Sequence, residues 1–341
     1  MVCLRVSCAA ATRAGFPETS AHARRAGQGS RKMWSAEAGR SLGGEPTGET
    51  PELRFAPDHA DLQRREVGAR DGWCIIRSPQ EENEMTLKNQ AARFAELHAK
   101  GNPVILYNAW DAGSAKVIAS SGAKAIATGS WSVAAAQGYE DGEDMPKDFA
   151  ERVVARIVAS VGVPVTVDFE GGYSEDDAEL AENVSRLIDA GGVGINFEDR
   201  VVKGDGLYAI DRQAKRIAAI RQAAEKKASG FFINARTDLF LRRGDADPSK
   251  SIGAALDRAK AYAAAGASGF FIPGLQQSAL IEEIVNGVSL PVNVMVMDGV
   301  PSNTRLALLG VARISYGPIP YAKAMKSLGD SARKVLSYSS E

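Results

Sequence analysis

Three apolar runs in this 341-residue chain end in charge. "PVTVDFEGGYS" (164–174) closes on Asp168 and Glu170, "GVGINFEDR" on Glu198, and "FFINARTD" on Arg236. An isolated carboxylate is costly to bury, so such endings make sense only where they meet and share a counter-charge. Asp168 and Glu170 stand two apart, which on a strand points both to one side, while Asp199 alternates away from Glu198. Three carboxylates at one rim repel each other unless a cation holds them. A hard divalent ion with oxygen ligands resolves that conflict: Mg2+, with Mn2+ as the alternative. Arg236 at the same rim can grip a carboxylate through two parallel hydrogen bonds. In "ATGSWS" the small residues Thr128, Gly129 and Ser130 let backbone N–H groups face a ligand oxygen. Each feature also has a plainer reading. The acids can cap helices or pair with Arg200 and Lys203, Arg236 can pair internally with Asp238 or Glu198, "TGS" is an ordinary turn, and Asp111 in "NAWDAGSA" is a helix N-cap.

What must position these residues is a regular alternation. Short β-rich runs occur at 103–109, 123–129, 164–170, 192–199, 231–237, 269–274, 291–296 and 313–317. Helical stretches lie between them near 112–121, 147–161, 176–190, 211–228, 251–265, 277–286, 302–309 and 320–337. Gly or Pro commonly precedes a strand, as expected where a helix turns into a buried parallel strand. Eight strand–helix units in about 240 residues predict a (β/α)8 TIM barrel, whose strand ends and following loops form a single mouth. An open doubly wound sheet competes, but no Gly-rich phosphate fingerprint follows the first strand. The acidic, glycine-containing loop "GYEDGEDMP" (138–146), which carries Asp141, could fold over that mouth.

Bulk composition narrows the chemistry. The chain is 45% hydrophobic and 24% charged with net charge −1, which gives no reason to expect nucleic acid or a membrane surface as partner. Cys3, Cys8 and Cys74 all precede the barrel, and His22, His59 and His98 are as peripheral in the sequence. Cysteine nucleophiles, Cys/His zinc sites and Ser-His-Asp chemistry are therefore not expected. Residues 1–84 lack a sustained period and are read as a low-complexity, disordered extension or one missing from the mature protein. The barrel domain is expected over 85–341. The cytoplasm is the expected location; the Arg-rich, acid-poor residues 1–40 leave organelle targeting as the alternative.

Together, "NAWDAGSAKVIASSGAKAIATGSWSVAAAQGYEDGE", "VDFEGGY", "NFEDR" and "INARTD" resemble the phosphoenolpyruvate mutase/isocitrate lyase superfamily over residues 88–337. The resemblance implies a (β/α)8 barrel that binds Mg2+ and a small α-oxycarboxylate, as a homodimer or homotetramer with a swapped terminal helix. It implies Asp168 as the direct metal ligand, with Glu170 and Glu198 contacting the ion directly or through water. Glu170 stands where many members have Asp, and its longer arm suits water-mediated contact. Thr128, Gly129 and Ser130 would hold the substrate carboxylate and Arg236 its oxygens, and Asp141 takes the place of the mobile-loop aspartate.

Departures from the family pattern guide the reaction. The Lys-Lys/Arg-Cys-Gly-His loop of the isocitrate and methylisocitrate lyases is replaced by "VVKGDGLY", and "IPGL" stands where the lyases place an acid after strand six. The Lys, Asn and Ser loop of the phosphoryl-transfer members is absent too, and no strand ends in a lysine for Schiff-base chemistry. What remains is chemistry that needs a metal, an arginine and a backbone cradle. Oxaloacetate-type decarboxylation through an enolate fits. The alternative is C–C cleavage of a 2-methylisocitrate- or dimethylmalate-like substrate, with Tyr173 or Asp141 as general acid/base. A third reading, from another class, is a non-catalytic metabolite-binding barrel.

Overall fold

The computed structural model describes residues 79–228, 230–241 and 247–337. As far as residue 78, the expected extension lies outside the described residues. Residues 79–84 instead open the first helix, α1 (Pro79–Glu96). All eight expected strands form, each shorter than its apolar run: β1 (Val104–Leu106), β2 (Ile126–Ala127), β3 (Val165–Asp168), β4 (Gly194–Glu198), β5 (Phe232–Arg236), β6 (Gly269–Phe271), β7 (Val292–Met295) and β8 (Arg313–Ser315).

Every ladder is parallel, in the order β1-β8-β7-β6-β5-β4-β3-β2. The seam between β1 and β2 closes through a bridge of Ala109 with Thr128, where Ala109 N–H donates to Ala127 O at 2.8 Å. Asn108 secures that seam. Its Nδ2 donates to Thr128 O at 2.8 Å, while its Oδ1 accepts from Tyr316 N and Gly317 N at 3.1 and 2.9 Å. The result is a (β/α)8 barrel with the strand C-termini gathered at one mouth.

The helices after α1 are α2 (Ala112–Ser120), α3 (Ser130–Ala136), α4 (Lys147–Val158), α5 (Asp177–Asp189), α6 (Ile210–Lys227), α7 (Ile252–Ala264), α8 (Ser278–Gly287), α9 (Asn303–Leu308) and α10 (Ile319–Leu336). Asp111 is the N-cap of α2, in a reciprocal box with Ser114. The sequence reading missed α3: "TGSWS" reads as a turn, yet the alanines that follow propagate a short helix from it. Val167, Ile195, Phe197 and Ile233 of the strands pack with Leu180, Val184, Ile217 and Ile220 of α5 and α6 in the main apolar core. At the end opposite the mouth, Phe94 and His98 cover Phe232 at the start of β5, with the His98 ring stacked 3.9 Å from it. His98 is thus core rather than site, and burial holds its pKa down at about 3. Among the described residues no helix is long and apolar enough to cross a membrane.

Candidate active site

Asp168 ends β3 at the mouth, and its carboxylate is held by neutral donors. Ser130 N–H and Oγ–H reach its Oδ2 at 3.0 and 2.9 Å, and Asn196 Nδ2 reaches Oδ1 at 3.3 Å. A carboxylate offers about four acceptor positions. Both on Oδ2 are taken and one on Oδ1 is left. The backbone N–H of Asp168 donates to Thr128 Oγ1 at 3.0 Å, so the end of β2 braces the end of β3.

The three N–H groups of the cradle expected from residues 128–130 are already paired in this structure. Thr128 N–H goes to Thr166 O, Gly129 N–H to Ala109 O, and Ser130 N–H to Asp168. The strand ladder and the Asp168 carboxylate thus occupy all three donors that a ligand oxygen would use.

Glu170 lies beyond the end of β3 rather than on it. The chain turns at Gly171–Gly172, with Gly172 N–H bonded to Phe169 O at 2.8 Å, and leaves Glu170 at φ 48° and Tyr173 at φ 60°. A left-handed backbone costs a non-glycine residue about 1 kcal/mol or more and collects at functional sites. Gly171 allows this turn because a Cβ there would meet Val202 at 2.7 Å. The buried Glu170 carboxylate accepts from Glu143 N–H at 3.0 Å. Glu143 in turn accepts from Tyr173 N–H at 2.8 Å, which fastens the 138–146 loop to the β3 end. Burial, and then the charges of Asp141, Glu198, Asp168 and Glu143, push the Glu170 carboxyl up to about 9. Asp141 is raised in the same direction by burial and Asp168, although its outer edge stays open to solvent and the shift is screened there. Burial and Glu170 also raise the Tyr173 phenol, which stays protonated, packed against the Phe169 ring.

At the β4 and β5 ends the picture differs. Glu198 pairs with Arg236 at 2.8 Å and with Arg200 at 3.2 Å. Arg236 also donates to both oxygens of Asp238, at 2.6 and 3.0 Å. The internal ion pair that sequence left as the plainer reading of Arg236 therefore forms. It uses three of the five N–H donors and leaves two without a partner among the described residues. Burial opposes the Arg236 charge, but Asp238 and Glu198 more than reverse that and hold it above its ordinary range. Burial still raises the Glu198 carboxyl despite its two cations. Asp199, which alternates to the outer face, is fully buried among Arg258 (3.0 Å), Tyr262 (2.9 Å) and the backbone N–H of Asp238 (3.0 Å). It braces the segment that clamps Arg236. The sequence reading named Asp238 as an alternative partner of Arg236 and overlooked Asp199 and Glu143 in these supporting roles.

Among the described residues, no three Asp, Glu, His or Cys side chains stand close enough to form a ready-made metal cage. No such set joins Asp168, Glu170 and Glu198: Glu198 is paired with two arginines, and Glu170 accepts one hydrogen bond from Glu143 N–H. Mg2+ does not require such a set; it commonly takes one or two carboxylates and keeps several waters. Asp168, with a vacant Oδ1 position and neutral neighbours, fits that demand. So does the surplus of acid that drives Glu170 to about 9.

The family described as phosphoenolpyruvate phosphomutase matches residues 94–336. The chain belongs to this family, within the phosphoenolpyruvate mutase/isocitrate lyase superfamily. A crystal structure of a candidate phosphonomutase from Burkholderia cenocepacia is 46% identical, with a TM-score of 0.71, covering 73% of this chain and 99% of that one. An uncharacterised protein of Mycobacterium tuberculosis is 34% identical over 71% of this chain and 88% of its own length. The 2-methylisocitrate lyase of Escherichia coli is 28% identical over 74% and 86%. Shorter matches bear the names oxaloacetate decarboxylase and 2,3-dimethylmalate lyase, and a phosphonopyruvate hydrolase of the same fold, 21% identical, was crystallised with oxalate and Mg2+. The superfamily consists of Mg2+-dependent lyases, mutases and hydrolases of oxo acids.

Proposed function

We propose that this protein is a Mg2+-dependent carbon–carbon lyase acting on a small 2-oxo or 2-hydroxy di- or tricarboxylate through an enolate, by oxaloacetate-type decarboxylation. The observation that carries this reading is the asymmetry of the mouth. Asp168, with no cationic partner among the described residues, shares the mouth with an arginine that has two N–H donors to spare, and residues 79–337 contain no cysteine to serve as a lyase acid. Asp168 would hold the ion, with Glu170 and Glu198 supporting it through water. Held there, Mg2+ would supply positive charge that draws electrons from the 2-oxo acid and stabilises an enolate. The C3–C4 bond then breaks, CO2 leaves, and the electron pair becomes the enolate. Arg236 stabilises the developing negative oxygen, as preorganised donors do in a site shielded from water. A proton returns to C3, and the protonated phenol of Tyr173 is a suitable source. Asp141 and the 138–146 loop exclude water while the enolate exists.

A second reading, C–C cleavage of a 2-methylisocitrate- or dimethylmalate-like acid, is favoured by one observation. The match to 2-methylisocitrate lyase extends over 262 residues, against 197 for the oxaloacetate decarboxylase of Ectopseudomonas mendocina. It requires Tyr173 or Asp141 as general acid/base. Oxaloacetate decay by the full chain, with and without Mg2+ and against Asp168→Ala, separates the readings. The decarboxylase reading expects a metal-dependent rate above that of free Mg2+, lost in the variant. Background decay alone, with pyruvate or succinate released from the branched acids, would select the second.

The homo-oligomer is proposed on a separate observation. Beyond Tyr321, which rests on Trp110 and Trp131, α10 exposes Met325, Leu328, Val335 and Leu336 and buries only Pro320. A groove of about 590 Å3 lined by Ile105, Tyr107 and Val117 runs along β1 and α2. We take α10 of a second copy to fill it, in a homodimer or homotetramer.

A further inference from the structure

The interior of a (β/α)8 barrel is ordinarily filled by branched apolar side chains. Directly beneath the mouth this barrel is polar instead, with Asn196, Asn234, Asn293, Arg313 and Ser315 all buried. Arg313 is the exceptional member. It is 1% exposed and has no carboxylate within ion-pair distance among the described residues, and a buried cation without a partner is expensive. Nothing in the strand ladder requires a charge there.

The hydrogen bonds show where its influence goes. Arg313 Nη2 donates to Asn196 Oδ1 at 2.9 Å, and Asn234 Nδ2 donates to the same oxygen at 2.9 Å. Two donors on one oxygen leave no choice about the amide's orientation: Oδ1 faces down to Arg313 and Asn234, and Nδ2 faces up to Asp168 Oδ1 at 3.3 Å. Asp168 is also the one charge that favours the ionised form of Arg313 against the penalty of burial. The register makes the stack a property of the strands themselves, since Asp168 pairs with Asn196 and Asn196 with Asn234 across β3, β4 and β5.

We propose that Arg313 and Asn196 form a positioning relay inside the barrel that fixes the Asp168 carboxylate, so that the single acceptor position left on Oδ1 points to where the divalent cation is to bind. The proposal rests on the reading of Asp168 as the metal ligand. Its logic is that of the groups behind the ligands of other metal sites, which orient a ligand and whose loss costs about 10- to 100-fold in metal affinity. Here the relay does one further thing. Ser130 ties down Oδ2 from the rim and Asn196 ties Oδ1 from below, so the carboxylate is clamped at both ends by neutral groups. Its negative charge remains for the ion, and the compensating positive charge of Arg313 is kept one residue away.

The test is Mn2+ affinity of the full-length protein, measured by the paramagnetic resonance of the free ion, in wild type, Asp168→Ala, Asn196→Ala, Arg313→Met and the Asn196→Ala/Arg313→Met double variant. Asn196→Ala should weaken Mn2+ binding roughly 10- to 100-fold and Arg313→Met by the lower part of that range. The double variant should bind no more weakly than Asn196→Ala alone, because the influence of Arg313 travels through that amide. Asn234→Ala, which removes one of the two donors and leaves the charge, covers the case in which a larger change prevents folding, and it should weaken binding severalfold. Thermal midpoints run in parallel, since a purely structural role lowers the midpoint and leaves the affinity of the folded fraction unchanged. Wild-type affinity in Asn196→Ala, Arg313→Met and Asn234→Ala, with binding lost in Asp168→Ala, overturns the relay and leaves the metal site standing. An additive effect of Arg313→Met in the Asn196→Ala background overturns it too, because Arg313 then acts directly through its field. Undiminished binding in Asp168→Ala removes the metal reading itself, and the relay with it.

Discussion

The ends of β3 and β5 reach the same mouth and meet the same difficulty, a buried charge, in opposite ways. At the β5 end the charges cancel locally. Arg236 lies between Glu198 and Asp238, and Arg200 adds a second cation on Glu198. At the β3 end nothing cancels. Asp168 receives three hydrogen bonds from uncharged donors, and Glu170 receives one from a backbone N–H. The difference sets a half whose charges are paired against a half whose carboxylates meet only neutral donors. On the proposed reading, an oxygen-binding divalent ion would join Asp168, and the β5 half would offer the substrate the remaining donors of Arg236.

The comparison breaks most visibly at Arg236. Arg236→Ala removes the side-chain cation assigned to the developing oxyanion, and turnover should fall about 10²- to 10³-fold. It also leaves Asp238 buried with no counter-ion among the described residues and Glu198 with Arg200 alone, so unfolding should be easier by about 3–5 kcal/mol. Steady-state rates and urea unfolding report the two effects separately, and an Arg236→Ala protein of wild-type stability would show that the β5 half is not an ion-pair clamp.

A second, intermediate effect concerns pH. Burial and like charge raise Glu170 to about 9 and move Glu198 the same way. Each carboxyl therefore binds protons more readily when folded than unfolded, where its ordinary value is about 4.3. Across that window the folded state carries the extra proton, so stability falls as pH rises. With chelator present, the thermal midpoint should drop steadily from pH 5 towards pH 9. Mg2+ should restore it most at the alkaline end, since the ion replaces the protons. A chelated midpoint that is flat or rises over this range contradicts the uncompensated charge at the β3 end.

The smallest change is Ser130→Ala. The backbone N–H of residue 130 still reaches Asp168, and only the hydroxyl donor is lost. Mn2+ affinity should fall roughly 10-fold, the lower end of what a supporting hydrogen bond contributes. Stability should change by about 1 kcal/mol.

Much of this was legible in the sequence, and what was not has a physical reason. Alternation of β-rich and helical runs gave eight strands in their right places, and their positions at the ends of neighbouring strands brought Asp168 and Glu198 to one mouth. Glu170 was placed on the strand because its spacing fits the pleat; Gly171 and Gly172 end the strand early and turn the backbone left-handed, which alternation does not reveal. Arg236 and Glu198 were correctly gathered, but whether they face a ligand or each other depends on which charge lies nearest when both are buried. The three donors of residues 128–130 looked free because a sequence does not show that the ladder and Asp168 already use them. Asn196 and Asn234 could have been found: each stands two residues before a rim residue, in "NFE" and "NAR", and so shares its inward face. Arg313 carried a fainter signal, a charge opening the last strand.

The most direct measurement is a crystal of the full chain grown with Mn2+ and oxalate, with the ion located by its anomalous scattering. The account predicts one ion at the mouth, bonded to Oδ1 of Asp168, with oxalate oxygens completing its coordination, Arg236 turned towards the oxalate, and Glu198 still paired with Arg236. An ion whose ligands exclude Asp168, or a mouth that takes up oxalate without any metal, would contradict it.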